Sequence, residues 1–171
     1  MNGNFVALDF ETADNGADSA CAIGLVTARD GKIVDKQHYL IRPPRPYFMF
    51  TYIHGITWEM VKDKPTFKDL WPQIEKTLDE ADFVAAHNAP FDRRVLEACC
   101  RAAGASSGER RYVCTVQLAR RVWNVRPTRL DNVCRFLDIE LKHHEALSDA
   151  EACARIVLAA RQAQPLQEAA K

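Results

Sequence analysis

No apolar run in the chain approaches the roughly 18 residues that a membrane-spanning helix requires. The opening Met1-Asn2-Gly3-Asn4 lacks the basic stretch and following apolar segment that direct secretion. These two absences lead us to expect a cytoplasmic protein. The six cysteines, Cys21, Cys99, Cys100, Cys114, Cys134 and Cys153, form no C-x-x-C pair, so nothing indicates a zinc ribbon or a redox motif. Thiols scattered among apolar and helical positions read as reduced and mostly buried. Adjacent Cys99 and Cys100 are poorly placed to share a metal, because neighbouring helical side chains diverge by about 100°. Internal repeats and low-complexity tracts are missing too, which sets aside solenoids and extended disorder. Net charge is also missing. With 23 basic residues balancing 23 acidic ones, global electrostatics announce no nucleic-acid partner.

What remains is an ordinary globular composition, 47% apolar and 27% charged over 171 residues, enough for one domain with a substantial core. We expect that domain over residues 1–163, with a short flexible tail at 164–171. The charge is unevenly spread. Residues 1–92 carry 9 Lys or Arg against 14 Asp or Glu, whereas residues 93–144 carry 11 against 5. Arg93-Arg94, Arg110-Arg111 and Arg120-Arg121, with Arg126 and Arg129, suit phosphates, although solvated helix faces account for them equally well.

Phe5 to Phe10, Cys21 to Val26 and Lys32 to Ile41 read as three opening strands, at least two of them antiparallel, with Asp30-Gly31 as a hairpin signal. Pro43, Pro44 and Pro46 break regular structure ahead of an aromatic loop containing Tyr47, Phe48, Phe50 and Tyr52. Thr57 and Thr66 look like helix N-caps, the second followed by Phe67, Leu70, Ile74 and Leu78 at helical spacing. Beyond them strand and helix alternate: a strand at 83–86, a helix from Pro90 to Ala103, a short strand at 112–114, then helices at 115–123, 130–137 and 147–161. Antiparallel strands followed by β-α-β units imply an α/β fold, a mixed sheet covered by helices.

Asp9 and Glu11 stand two apart at the end of the first strand, so the pleat sends both carboxylates to one face. Alone, such a pair is more readily a solvated strand end than a metal site. Asp92 falls in the first turn of a helix after His87-Asn88-Ala89-Pro90-Phe91, and Asp149 starts another helix five residues after His144. Each taken singly is explained as an acid favoured by a helix N-terminus. If all four converge at one sheet edge, their repulsion calls for a divalent cation, and all-oxygen ligands favour magnesium or manganese over zinc.

Asp9-Phe10-Glu11-Thr12, His87-Asn88-Ala89-Pro90-Phe91-Asp92 and His144-x-Ala146-x-x-Asp149 resemble, in order, the three motifs of the DEDDh (DnaQ-like) 3′→5′ exonuclease family. His54-Gly55-Ile56-Thr57 resembles a segment commonly found between the first two. The resemblance spans residues 5–158. It implies an RNase H-like fold, a mixed five-stranded sheet with its first three strands antiparallel and helices on its flanks. It also implies two metal ions, Mg²⁺ or Mn²⁺, and hydrolysis of phosphodiester bonds at the 3′ end of single-stranded DNA to release nucleoside 5′-monophosphates. Asp9, Glu11 and Asp149 would then hold the ion that carries the attacking water, Asp9 would bridge to the second, and Asp92 would support it. His144 would take the proton from water. His143 competes for that role, and the five-residue spacing to Asp149 favours His144.

Substrate contacts are expected from Phe10, Thr12, His54, Phe91 and Asn88, with Phe10, Phe91 and the aromatic loop stacking on bases. Core packing is the competing account for Phe91, and a turn-forming His-Gly for His54. His38 and His87 read as surface or packing residues. Exoribonuclease action on short RNA is the rival within enzymes, because the five motif residues do not sense a 2′-hydroxyl. A non-catalytic nucleic-acid-binding module is the rival outside them, and clustered acids facing phosphates argue against it. Only eleven residues follow Ala160, so we expect no long polymerase-binding extension. The resemblance to the family's polymerase-bound bacterial proofreading exonucleases invites polymerase association, a clamp-type peptide at Gln162 to Leu166 is a faint further hint of it, and a homodimer is left open.

Overall fold

The computed structural model describes the backbone of residues 3–169 and the side chains of residues 3–163. Strands β1 (Phe5–Thr12), β2 (Ala20–Arg29) and β3 (Lys32–Leu40) are antiparallel neighbours, while β4 (Phe83–Ala86) and β5 (Tyr112–Cys114) run parallel to β1. The sheet order is β3-β2-β1-β4-β5. This is the expected mixed five-stranded sheet. Its hairpin turns at Asp30-Gly31, both with positive φ (49° and 76°), the backbone twist that a tight hairpin of right-twisted strands requires.

Strand alternation sorts the core into two layers. Phe5 and Ala7 of β1, Val26 and Ala28 of β2, and Phe83 and Ala85 of β4 face one side. There they pack against helices α5 (Thr115–Trp123), α6 (Leu130–Leu137) and α7 (Ala146–Ala169). Val6, Leu8 and Phe10, with Ile23, Leu25 and Val84, face the other side, against α3 (Phe67–Asp79) and α4 (Ala89–Ala102). Thr66 caps α3 through a full capping box with Asp69, worth about 1 kcal/mol. Thr57 holds the N-cap position of α2 (Trp58–Val61) but makes no side-chain cap bond. The segment expected as an aromatic loop folds in part into the short helix α1 (Thr51–His54), closed by Gly55 at φ 75°. Helix α4 begins at Ala89, one residue before the expected Pro90, because Asn88 takes the N-cap position in a left-handed conformation that Asn tolerates.

Helix α7 crosses β1 and β2 on buried small residues, Ala146, Ala150, Ala152, Cys153, Ala154 and Ala160. Its start lies on Gly24, which pairs with Asp9. A Cβ at Gly24 would stand 2.2 Å from the Ala146 carbonyl oxygen, so only glycine lets the helix this close to the strand. At the other end of β1 the Arg161 guanidinium donates to the Gly3 carbonyl (2.7 Å) and lies 4.9 Å from the centre of the Phe5 ring. Among the described residues no helix is long and apolar enough to cross a membrane. The side chains of 164–166 in the clamp-type peptide, and of the whole expected tail at 164–171, lie outside the described residues.

Gly24→Ala is therefore expected to cost roughly 1–3 kcal/mol through overpacking, lowering the melting temperature by about 3–10 °C in a thermal denaturation followed by circular dichroism. An unchanged melting temperature would mean that α7 is not held against the strand at this point.

Candidate active site

Asp9 and Glu11 project from β1 toward the α7 face, as the pleat dictates, and a register shift between Glu11 and Thr12 ends the regular ladder beside them. Asp92, 1% exposed in the first turn of α4, accepts a hydrogen bond from the Phe10 N–H (3.1 Å) that ties the start of α4 to the end of β1. Asp149, 4% exposed in the first turn of α7, accepts at one oxygen, Oδ2, from the His143 ring Nδ1–H (3.0 Å) and the His144 backbone N–H (3.1 Å). Carboxylate oxygens of Asp9, Glu11 and Asp149 lie within 4.8 Å of one another. Three separate stretches of chain thus bring their acids to one end of the sheet.

Asp92 and Asp149 are buried and Asp9 partly so, and the charges feel one another. Burial pushes Asp9 well above the usual carboxylate range, helped by the negative charges of Asp92, Asp149 and Glu11. Burial likewise raises Glu11 to about 7, with Asp149 adding to it. Asp92 and Asp149 are also raised, chiefly by burial; the Phe10 N–H offsets part of the shift at Asp92, and His143 part of that at Asp149. Asp92 Oδ2 and Asp149 Oδ1 are buried without a hydrogen-bond partner. Buried, unpaired oxygens in an acid cluster fit a divalent cation, since an ion would satisfy the orphaned lone pairs and relieve the repulsion together.

Beside the acids opens a cavity of about 280 Å³ lined by Asp9, Phe10, Glu11, Thr12, Phe50, Ile53, His54, Phe91, His144 and Asp149. Four of the five expected substrate contacts are on its wall. Asn88 is not; it is exposed at the head of α4, where its left-handed backbone holds the N-cap position without a side-chain cap bond. Phe10 is only 3% exposed and its ring belongs to the core layer under α3 and α4, so stacking on a base would require it to leave that layer. Half-buried Phe91 touches the same layer and lies 5.9 Å under the Arg94 guanidinium. Of the aromatic loop, Phe50 reaches the cavity wall, and Ile53 joins it from α1. Sequence reading missed Ile53, since nothing in its spacing marks a helix of four residues.

The histidines separate by their partners. His54 Nδ1 accepts from the Ile56 N–H (3.0 Å), which leaves the proton on Nε2 to be donated to the Thr12 carbonyl (3.1 Å). Its ring braces the cavity wall. His87 lies between the Thr115 hydroxyl (2.8 Å) and the Thr128 carbonyl (3.1 Å), a packing residue as expected. His144 lines the cavity with φ at 67°, and burial with the neighbouring charge of His143 lowers its pKa, keeping the ring neutral near pH 7. The His143 and His144 rings stack with centroids 3.8 Å apart.

A family model described as exonuclease, of the RNase T type, matches residues 6–157. The chain belongs to this exonuclease family. Within the family it is 37% identical over 161 residues to a PolC-type DNA polymerase III of Thermotoga petrophila, covering 92% of this chain and 12% of the polymerase. It is 36% identical over 145 residues to exodeoxyribonuclease 10 of Escherichia coli strain K12, covering 80% of this chain and 59% of that enzyme. The chain therefore spans only part of the length of these relatives. Among solved structures, exonuclease X in complex with 5′-overhanging duplex DNA superposes with a TM-score of 0.75 at 30% identity, over 92% of this chain and 91% of that one. An exonuclease I structure, at 16% identity and a TM-score of 0.80 over 96% of this chain and 42% of that one, shares the fold.

For this member of the exonuclease family, raised carboxyl pKa values predict a definite pH dependence. A group whose folded pKa lies above its unfolded one stabilises the fold at low pH and loses that contribution as pH rises through the folded value. In EDTA, Asp92→Asn should exceed the parent in melting temperature by more near pH 8 than near pH 5, because the parent loses stability steadily as pH rises from the ordinary carboxylate range to about 8. Thermal melts across that range check the sign; a gap that shrinks with rising pH would contradict it.

Proposed function

We propose that the chain is a divalent-metal-dependent 3′→5′ exonuclease acting on DNA and releasing nucleoside 5′-monophosphates. The observation that carries this reading is the gathering of Asp9, Glu11 and Asp149 within 4.8 Å of one another beside a cavity with room for one terminal nucleotide, with Asp92 buried near enough to raise Asp9 and, like Asp149, carrying an orphaned buried oxygen. An all-oxygen donor set suits Mg²⁺ or Mn²⁺. Asp9, Glu11 and Asp149 would hold one ion, with Asp9 and Asp92 serving a second. Bound there, the pair would neutralise the cluster and stabilise charge on the attacking and leaving oxygens.

The chain's own residues supply the remainder. His144, neutral at the cavity wall, takes a proton from water at its ring nitrogen. Phe50, Ile53 and Phe91 give the terminal base and sugar an apolar seat, and Thr12, braced by His54, closes its polar side. The motif order supports the 3′→5′ polarity. DNA as substrate is supported by relatives at 30% identity or more, an exodeoxyribonuclease and a structure bound to duplex DNA. The 5′ overhang of that duplex makes a recessed 3′ end a substrate to set beside a single strand. The PolC-type relatives carry the matching segment inside a polymerase chain, which supports polymerase association here. A cytoplasmic site of action goes with this substrate.

The test is release of labelled mononucleotide from 3′-labelled single-stranded DNA, 5′-overhanging duplex DNA and single-stranded RNA, with Mg²⁺ or Mn²⁺ and with EDTA. Asp9→Ala should lower the rate at least about 10³-fold, the scale of losing several kcal/mol of charge stabilisation. His144→Asn should lower it roughly 10²- to 10⁴-fold. Faster release from RNA than from DNA would overturn the substrate, and no metal-dependent release from any of the three would overturn the enzyme.

A further inference from the structure

Asp92 and Asp149 share a pattern: in each, one oxygen is tied by hydrogen bonds and the other is buried with no partner. The tie at Asp92 is the Phe10 backbone N–H, which no side-chain replacement removes. At Asp149 one of the two ties is a side chain, His143, which stands one residue before the motif histidine. Carboxylate oxygens only accept, so the His143 ring carries its proton on Nδ1 and donates it. The His144 backbone turns into the left-handed region, φ 67°, and its N–H donates to the same oxygen. A non-glycine residue holds that conformation at some cost, which makes it a feature of the site. The His144 ring makes no hydrogen bond among the described residues, while the His143 ring is spent on Asp149 and stacks on the His144 ring with centroids 3.8 Å apart.

A carboxylate with one oxygen pinned can present the other in a fixed direction, and metal-ligating groups are commonly oriented by such outer hydrogen bonds. We propose that His143 is a positioning residue whose Nδ1–H pins Asp149 Oδ2, so that Oδ1 is presented to a divalent cation shared with Asp9 and Glu11. The two adjacent histidines then divide the work. His143 orients a metal ligand, and His144 faces the cavity. The assignment rests on the cation-binding reading of the acid cluster and adds to it a residue outside the five motif positions.

Mn²⁺ binding to the metal-free protein, followed by the electron paramagnetic resonance signal of free Mn²⁺, tests the assignment without turnover. His143→Ala should weaken Mn²⁺ binding roughly 10- to 100-fold. His143→Asn, whose side-chain amide keeps an N–H donor but loses the imidazole, should recover most of the affinity. His144→Asn, which keeps the backbone donor and a residue that tolerates positive φ, should bind Mn²⁺ within a few-fold of the parent. Melting temperatures in EDTA establish that each variant is folded; His143 is partly exposed, its side chain 31% accessible. Unchanged affinity in His143→Ala would overturn the proposal, as would a loss that His143→Asn fails to recover, which would assign the effect to ring packing or direct ligation. A parent protein that binds no Mn²⁺ is a different result, and removes the cation reading on which the proposal stands.

Discussion

Four carboxylates are held close together where water scarcely reaches, and the rest of the molecule is arranged around that repulsion. Left to themselves, such groups would separate or take up protons. They stay because each is anchored to an element that has other reasons to be where it is. Asp9 and Glu11 belong to β1, a central strand buried on both faces. Asp92 is fastened to that strand through the Phe10 N–H. Asp149 arrives on α7, whose small residues and whose seat on Gly24 bring it down onto β1 and β2. The hydrophobic layers on the two sides of the sheet supply the free energy that holds the acids in place. A cation would then find its ligands already assembled, with little ordering left to accomplish on binding.

Much of this arrangement is legible in the sequence. The two-residue spacing of Asp9 and Glu11 fixes their common face, because strand periodicity leaves no alternative. Asp30-Gly31 and Thr66 announce their turn and cap through chemistry local to a few residues, and local chemistry is what a sequence displays. Helix-start acids such as Asp92 and Asp149 are individually ambiguous, since a helix dipole explains each one. Their meaning came from their order along the chain and its resemblance to a known family.

What escaped the sequence was long-range or depended on competition. Gly24 carries a faint signal, a lone glycine inside an apolar strand, but which element approaches it is a tertiary fact. Helices α1 and α2 are four residues each, too short for periodicity to register. Phe10 offers an aromatic ring within the first motif, but the same alternation that turns Asp9 toward α7 turns Phe10 into the opposite layer. Asn88 lies within a motif, yet its left-handed backbone serves the helix cap. His143 and His144 are indistinguishable in type, and only the path of the backbone decides which ring meets Asp149.

The bond between Arg161 and the Gly3 carbonyl fastens α7 at the end of β1 remote from the acids. Asp9 and Glu11 lie toward the C-terminal end of β1, and α7 starts there, on Gly24, and runs back toward the beginning of the strand. The helix is thus clasped to the sheet at both ends, like a splint, and Asp149 in its first turn cannot slide along β1 without loosening the distant clasp as well.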